Sequence, residues 1–463
     1  MKIFTFQLLD TESVLYFLAI KCYNPSHMLD IKFIRENPDL IKEAARKKHI
    51  DFNVDELISI DQKRLEKLSI VESLRAEQNI VSDKIPTASA EERADLIAKM
   101  TILKEDLKKN EEELKEIILD WQKLMLRIPN IPSADTPEGV DESGNVVIRQ
   151  WGDIPKFDFE IKDHVELGKI HNLIDLEKAA EISGSRFAYL KGEAALIQFA
   201  IVNYLFEILG NENTLKLIAE EAGLVSVSTK PFIPVVPPVL IKPNVFGRMD
   251  RLEPRDERYH IPGDDLYLIG SAEHTTGPLH MDEIIPESEL PIRYIAYSTA
   301  FRREAGAAGK DTRGILRVHQ FDKLEMETFC LPEHSIQEQD FIVAIQEYFL
   351  RKLKLPYQVI LICTGDMGKP DYRQIDINTW IPTQNCYRET HTSDLMTSFQ
   401  SRRLNTRVAR EGGKNEYVHM NDATACAIGR TLIAILENYQ QPDGTIKIPE
   451  VLQKYIGKEF IGK

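Results

Sequence analysis

Cysteine is scarce and scattered. The chain has five (Cys22, Cys330, Cys363, Cys386 and Cys426) in 463 residues, with no CxxC pair. That argues against a disulfide framework and against a structural zinc cluster, and for thiols kept reduced in a cytoplasmic protein. Long apolar runs are missing as well: none reaches the roughly 18 residues that a transmembrane helix requires. Near the N-terminus the apolar runs Ile3–Leu9 and Val14–Ile20 are interrupted by Asp10 and Glu12. No small-residue cleavage site follows them, so a signal peptide is not expected. Positive charge is in deficit, with a formal net charge of −15. A general nucleic-acid coat is thereby disfavoured, because non-specific attachment to phosphates needs positive charge. A local basic stripe remains compatible with that sum.

What is present describes a globular protein of more than one domain. Hydrophobic residues make up 43% and charged residues 28% of a chain too long for one ordinary core. From Asp55 to about Asp83 the composition is helix-forming, with Leu57, Leu65, Leu68, Val71 and Leu74 at helical spacing. Lys84–Ser89, containing Pro86, reads as a turn. Beyond it Leu96, Met100, Leu103, Leu107, Asn110, Leu114, Ile117, Trp121 and Leu124 alternate four and three apart, a heptad seam in which Asn110 is the single polar, register-setting member. Two such helices form an antiparallel hairpin reaching on the order of 50 Å. Taken alone, heptads most often serve a structural or dimerising coiled coil. Pro129 and Pro132 end the helical region, and the domain boundary is placed near 135.

The most informative stretch is Phe301–Glu327, FRREAGAAGKDTRGILRVHQFDKLEME. Strand-like residues such as Tyr294, Ile295, Phe321 and Phe329 flank a small, glycine-rich tip (Gly306, Ala307, Ala308, Gly309). The simplest object that fits is a pair of antiparallel strands joined by a long loop with fixed charges at its base. Glycine lets backbone approach a ligand closely, and arginine offers a planar, permanently charged fork suited to phosphate oxygens.

This segment resembles motif 2 of the class II aminoacyl-tRNA synthetases, in the version found in the seryl-tRNA synthetases. The resemblance runs from MLDIKFIRENPDLIKEAARKK at Met28 to the last helix and includes GSRFAYLKGEAAL (Gly184–Leu196), Pro237-Pro238 and FQSRR (Phe399–Arg403). It implies an α+β protein: an antiparallel catalytic sheet flanked by helices (136–463), preceded by a helical tRNA-binding arm (28–135). Residues 1–27 are an extension with no assigned role, as a start codon placed too far upstream would produce. Pro237-Pro238 matches motif 1, which builds the family's homodimer interface.

The site residues follow by the same resemblance. Ser271 and Glu273 stand where the family has Thr-x-Glu, at the end of an apolar strand whose two-residue period puts both on one face. With Glu325 they offer oxygens for the ammonium and hydroxyl of serine. Arg302 would hold the α-phosphate of ATP and bridge to the serine carboxylate, Glu304 would accept from the adenine amino group, and Phe321 would stack on the ring. Arg303, Val318, His319, Gln320, Thr390 and His391 complete the expected ATP surface. Glu389 and Thr392 match the family's magnesium-binding E-x-x-S segment, a hard-oxygen site that leaves most ligands to phosphates and water; no zinc is expected. Arg430, opening the motif 3 helix, resembles the arginine that binds the γ-phosphate and packs over adenine. Thr424 falls on the serine-binding hydroxyl position, and Asp422 stands in place of asparagine.

The implied function is ATP-dependent activation of L-serine and transfer to the 3′ end of tRNA-Ser, and of selenocysteine tRNA where that tRNA exists. Arg302, Glu325 and Arg430 carry the chemistry. In the family the arm grips the long variable arm of the tRNA, and Lys42, Arg46, Lys47, Lys48, Lys63, Arg64, Arg75, Lys104, Lys108 and Lys109 could neutralise its phosphates. A ligase of altered amino-acid specificity and a non-catalytic tRNA-binding paralogue are the rival readings, and both rest on Ser271 and Asp422.

Overall fold

The computed structural model describes residues 30–305 and 313–462. The N-terminal extension and the glycine-rich tip lie outside these described residues. Two units result, one helical (29–129) and one built around a sheet (from 130 onward).

In the helical unit three of the four α-helices among the described residues start where a side chain satisfies free N–H groups of the first turn, and the fourth starts with proline. Asp30 accepts from Lys32 N ahead of α1 (Ile31–Glu36), and Pro38 opens α2 (Pro38–Lys47) at a position that needs no donor. Asn53 caps α3 (Val54–Lys84). Ser89 and Glu92 form a reciprocal capping box at the start of α4 (Ala90–Arg127). The break between α3 and α4 is the short 3-10 turn Ile85–Thr87, with Pro86 inside it.

The heptad seam is the inner face of this hairpin. Met100, Leu103, Leu107, Leu114 and Leu124 are buried, and Leu107 and Leu114 pack with Val71. Asn110 is bonded across the seam: Lys67 Nζ donates to its Oδ1 at 3.0 Å and pairs with Glu113 at 2.6 Å. A one-heptad slip would break this polar cross-link, which is how a single polar seam residue sets register.

The second unit begins at Asn130, whose buried amide donates to the carbonyls of Pro370 (2.8 Å) and Met396 (2.9 Å). Its centre is an eight-stranded sheet: β1 (Val146–Trp151), β2 (Ile233–Val235), β3 (Ile292–Phe301), β4 (Gln320–Cys330), β5 (Tyr357–Leu361), β6 (Arg373–Ile381), β7 (Cys386–Thr397) and β8 (His419–Ala427). The spatial order is β1-β5-β6-β7-β8-β4-β3-β2. All pairs are antiparallel except β2 with β3 at the edge.

Helices α5 (Glu193–Leu209), α6 (Ser335–Lys352) and α7 (Ile428–Asn438) supply apolar residues such as Ile201, Phe341, Phe349 and Leu432 to the same core as Leu324, Met326 and Ile377 of the sheet. Each such side chain contributes about 1.5–3 kcal/mol by leaving water. Period-two alternation then leaves the opposite face of β4 to Phe321, Lys323, Glu325 and Glu327. No single helix among the described residues is long and apolar enough to cross a membrane.

One buried ion pair ties β3 to α6. Arg293 donates through Nε (2.9 Å) and Nη2 (2.6 Å) to Glu338, and its remaining donors reach the carbonyls of Ser228 and Lys230. Both side chains are almost fully buried. Glu338→Ala, which strands the guanidinium, is expected to cost about 3–5 kcal/mol in chemical denaturation. A loss within about 0.5 kcal/mol would contradict this account of the pair.

Candidate active site

The site lies on the face of the sheet opposite the helix-packed core. Register explains how residues far apart in sequence meet there. Across from Phe321, Lys323 and Glu325 on β4 stand Ala300, Ser298 and Ala296 on β3, small residues that leave space above the strand. On the other side the pairing steps from Leu324↔Cys426 to Glu325↔Thr424, a bulge that puts Thr424 and Asp422 level with Glu325 and Glu327. The result is a cavity of about 250 Å³ bordered by charged and polar side chains.

Glu325 is almost fully buried in the cavity lining. Its Oε1 accepts from Ser271 Oγ at 3.0 Å and from Thr424 Oγ1 at 3.4 Å, and pairs with Lys323. Burial pushes its carboxyl above the ordinary carboxylate range, Lys323 opposing. Ser271 and Glu273 do reach one another (3.4 Å), but not as alternate residues of a strand. The strand ends at Leu268, the chain bends at Gly270 and Ser271, and Glu273 begins a short helix, Glu273–Thr276. The turn, and not a period of two, aims both side chains inward.

His274 is a residue the sequence did not reveal. Its Nδ1 accepts from Gly270 N at 3.1 Å, and its Nε2 lies 3.5 Å from Glu273. Burial lowers its pKa to about 4, so the ring is neutral at pH 7. Arg251 was also unforeseen. Its Nε is 3.1 Å from Glu273 Oε1, and its Nη2 is 3.0 Å from Asp422 Oδ2. Although burial works against ionisation of Glu273, Arg251 holds that carboxyl well below the usual range.

On the other side of the cavity Arg302 leaves the end of β3. Its Nε donates to the Gly270 carbonyl at 3.0 Å, and its guanidinium carbon lies 5.3 Å from the Phe321 ring centre. Glu304, in the left-handed region (φ 52°), accepts from Arg317 at 3.1 Å. Arg317, one of the fixed charges at the base of the loop, lines the cavity, as do Ile315 and Leu316, which the sequence had not marked out; Val318 lines it as expected. Four expected ATP residues do not line it: Arg303, His319 and Gln320 here, and His391 on β7. Arg303 sits 5.7 Å from the Tyr259 ring, His319 bonds the Arg302 carbonyl through Nδ1, and Gln320 borders a neighbouring cleft with Gln198.

On β7 a second bulge settles another question of spacing. The pairing steps from Ile377↔His391 to Asn378↔Glu389, so Glu389 and Thr392, three apart, share the site face, with Thr392 Oγ1 3.5 Å from Glu389 Oε1. The same bulge turns His391 away. Its ring is fully buried, bonded to Thr390 Oγ1 at 2.8 Å and 6.0 Å from the Phe349 ring, with its pKa lowered by burial to about 3. His391 is therefore a core histidine and not a contact of the cavity. Thr390 borders the cavity, but its hydroxyl bonds that of Thr379 at 2.7 Å.

Arg430, in the first turn of α7, donates to the Glu389 carbonyl at 2.8 Å and pairs with its carboxylate at 3.2 Å. Burial raises the Glu389 pKa, but Arg430 and the more distant Lys323 and Arg302 outweigh it, and the carboxyl falls below its ordinary value. Beyond Ser393↔Ala423 the ladder between β7 and β8 stops, and the Gln346 amide from α6 bridges the carbonyls of Thr392 and Thr424 (2.9 and 2.8 Å). That bridge satisfies backbone oxygens where the strands part to open the cavity.

One wall of the cavity thus combines carboxylates with hydroxyls, and the other gathers arginines around an aromatic ring. The first suits a small zwitterion with a hydroxyl, the second a polyphosphate joined to a flat base.

The chain is similar to known proteins over nearly its whole length. Residues 28–132 match the family described as the seryl-tRNA synthetase N-terminal domain, and residues 257–439 match the tRNA synthetase class II core domain (G, H, P, S and T). The serine–tRNA ligase of Thermodesulfovibrio yellowstonii is 40% identical over 441 residues, covering 94% of this chain and all of that protein. Serine–tRNA ligase 1 of Streptomyces avermitilis is 40% identical over 93% of this chain and 98% of its own length. Among solved structures, the seryl-tRNA synthetase of Pyrococcus horikoshii complexed with ATP superposes with a TM-score of 0.83 at 35% identity, covering 93% of this chain and 99% of that one.

Proposed function

Because this chain belongs to the class II seryl-tRNA synthetases, activating L-serine with ATP and passing the seryl group to tRNA-Ser, we propose that the cavity above β4 and β8 is where both substrates meet. The observation that carries this assignment is Glu325, which accepts from the hydroxyls of Ser271 and Thr424 and lines the same cavity as Thr424 and Arg302.

Serine places its ammonium and hydroxyl against Glu325, Ser271, Thr424 and Glu273, which leaves its carboxylate toward Arg302. The adenine ring lies against Phe321, with its amino group toward Glu304. Arg302 holds the α-phosphate, and Arg317 and Arg430 face the outer phosphates. The serine carboxylate attacks the α-phosphorus and pyrophosphate leaves. Arg302 stabilises the negative charge that develops on the α-phosphoryl oxygens, and its bond to the Gly270 carbonyl keeps it aimed without reorganisation. Little acid–base chemistry is required, since the serine carboxylate and then the terminal ribose hydroxyl of the tRNA are the nucleophiles.

Glu389 and Thr392 suit a magnesium ion that travels with ATP: hard oxygens, one carboxylate half exposed toward the cavity, the remaining ligands left to phosphates and water. When bound, the ion neutralises charge on the phosphates. Arg430, bonded to Glu389 at the same end of the cavity, would hold the γ-phosphate.

The enzyme works as a cytoplasmic homodimer in this reading. Its sheet edge offers β2, with Ile233 and Val236 exposed just before Pro237-Pro238. The helical arm holds the tRNA through shape and phosphate contacts. Lys42, Arg46, Lys47, Arg64 and Arg75 are engaged in ion pairs within the arm. Lys63, Lys104, Lys108 and Lys109 form no ion pair among the described residues and are exposed, so these four are the better phosphate contacts. Reversing Lys104, Lys108 and Lys109 to glutamate together is expected to raise the KM for tRNA-Ser by about tenfold or more at moderate salt. Serine-dependent pyrophosphate exchange, which needs no tRNA, stays within about twofold. Unchanged aminoacylation would remove these lysines from the tRNA surface.

A further inference from the structure

Asp422 occupies an unusual place for a carboxylate. In the sheet it pairs with Glu327 on one side and with Asp394 on the other, so three acids stand in a row across β4, β8 and β7. Glu327 is fully buried, and neither of its carboxylate oxygens has a hydrogen-bond partner. Burial, and then the Glu273 carboxylate, push the Asp422 carboxyl up to about 8, and Arg251 opposes that rise. Among the described residues the only ion pair Asp422 makes is with Arg251, at 3.0 Å.

Arg251 reaches this point from outside the sheet. It follows the helix Pro243–Arg248, where Asp250 adopts a left-handed conformation (φ 60°) and is held by Lys369 at 2.6 Å. The Arg251 carbonyl accepts from Arg258 Nε at 3.0 Å. With its backbone fixed, the guanidinium spans two carboxylates on different elements: Glu273 on the short helix and Asp422 on β8. Both border the cavity, as Arg251 does.

We propose that Arg251 is the positioning residue of the serine pocket, fixing Glu273 against the cavity wall, and that Asp422 is present as its second carboxyl partner and not as a contact of the amino acid. The inference rests on the reading that this wall binds serine. A planar fork can hold two carboxylates at a set separation, which a single ammonium on a flexible stem cannot do. An asparagine at 422 would keep the shape but surrender the charge. Arg251 and Asp422 are therefore a matched pair, and the departure from asparagine is explained by the arginine opposite.

The test is serine- and ATP-dependence of pyrophosphate exchange for wild type, R251K, R251Q, D422N and R251Q/D422N. R251K is expected to raise the serine KM by about tenfold while the ATP KM stays within about twofold. R251Q, which leaves both Glu273 and Asp422 without a cation, has the larger effect. D422N should lower the serine KM of R251Q by severalfold, since an amide there needs no compensating charge. Were Asp422 a direct serine contact, D422N would worsen R251Q, and the proposal would be overturned. An unchanged serine KM in R251K would overturn it equally. Where R251Q fails to fold, R251K and R251K/D422N give the same comparison. Loss of serine-dependent exchange in the wild type would instead sink the pocket assignment, independently of the coupling.

Discussion

Replacing Arg302 with glutamine is expected to lower kcat/KM for serine-dependent ATP–pyrophosphate exchange by about a thousandfold or more, roughly 4 kcal/mol of lost transition-state stabilisation. Arg302 forms no ion pair among the described residues; Nε is committed to the Gly270 carbonyl, and the guanidinium lies against Phe321 at the cavity edge. A preorganised cation without an internal anion suits charge that appears only during reaction. Glutamine can still donate one hydrogen bond but carries no charge, so ground-state binding should suffer less than the chemical step. The signature is a fall in kcat exceeding any rise in the KM for ATP. A variant retaining a tenth or more of wild-type kcat/KM would remove Arg302 from the α-phosphate.

The second large effect is expected at Glu325. Glu325→Gln preserves volume and one carbonyl acceptor, but removes the charge that meets an ammonium and leaves Lys323 without its anion. Sites built to hydrogen-bond a substrate's polar groups discriminate strongly when one partner is lost. A cost of about 2–4 kcal/mol follows, or roughly 30- to 1,000-fold in kcat/KM for serine. Unlike R302Q, this change should spare the KM for ATP. Exchange kinetics with each substrate varied in turn separate the two. Equal damage to both substrates would mean that Glu325 supports the sheet, where it is 99% buried, and does not read serine.

Much of this architecture was legible because it is written in periodicity. The seam from Leu96 to Leu124 marked the inner face of α4, since a helix can turn only one stripe toward its partner. The strand-like flanks of the glycine-rich stretch declared β3 and β4 an antiparallel pair. What escaped was whatever depended on departures from regular geometry. Ser271 and Glu273 meet through a bend and a helix start, and no alternation encodes that. His391 is turned into the core by the bulge at Thr390, although its neighbours in sequence face the cavity. Arg251 had no local signal at all: its partners, Glu273 and Asp422, are brought to it by the fold, and an arginine in a loop ordinarily reads as surface.

The same distinction applies to Asp422. Compared with the family's asparagine it reads as an anomaly. Beside Glu327, Asp394 and Arg251 it is one member of a charge arrangement, and only the register of β8 against both neighbours brings that out.

The central claim, that this cavity activates serine, is tested most directly by ATP–pyrophosphate exchange with purified protein, offering serine, threonine, alanine and glycine separately and without tRNA. The account predicts exchange that requires magnesium and serine, with alanine and glycine rejected because they leave the buried oxygens of Glu325 and Thr424 unpaired, and threonine rejected by its added methyl group. Folded protein that shows no serine-dependent exchange, or exchanges equally well with alanine, would contradict it.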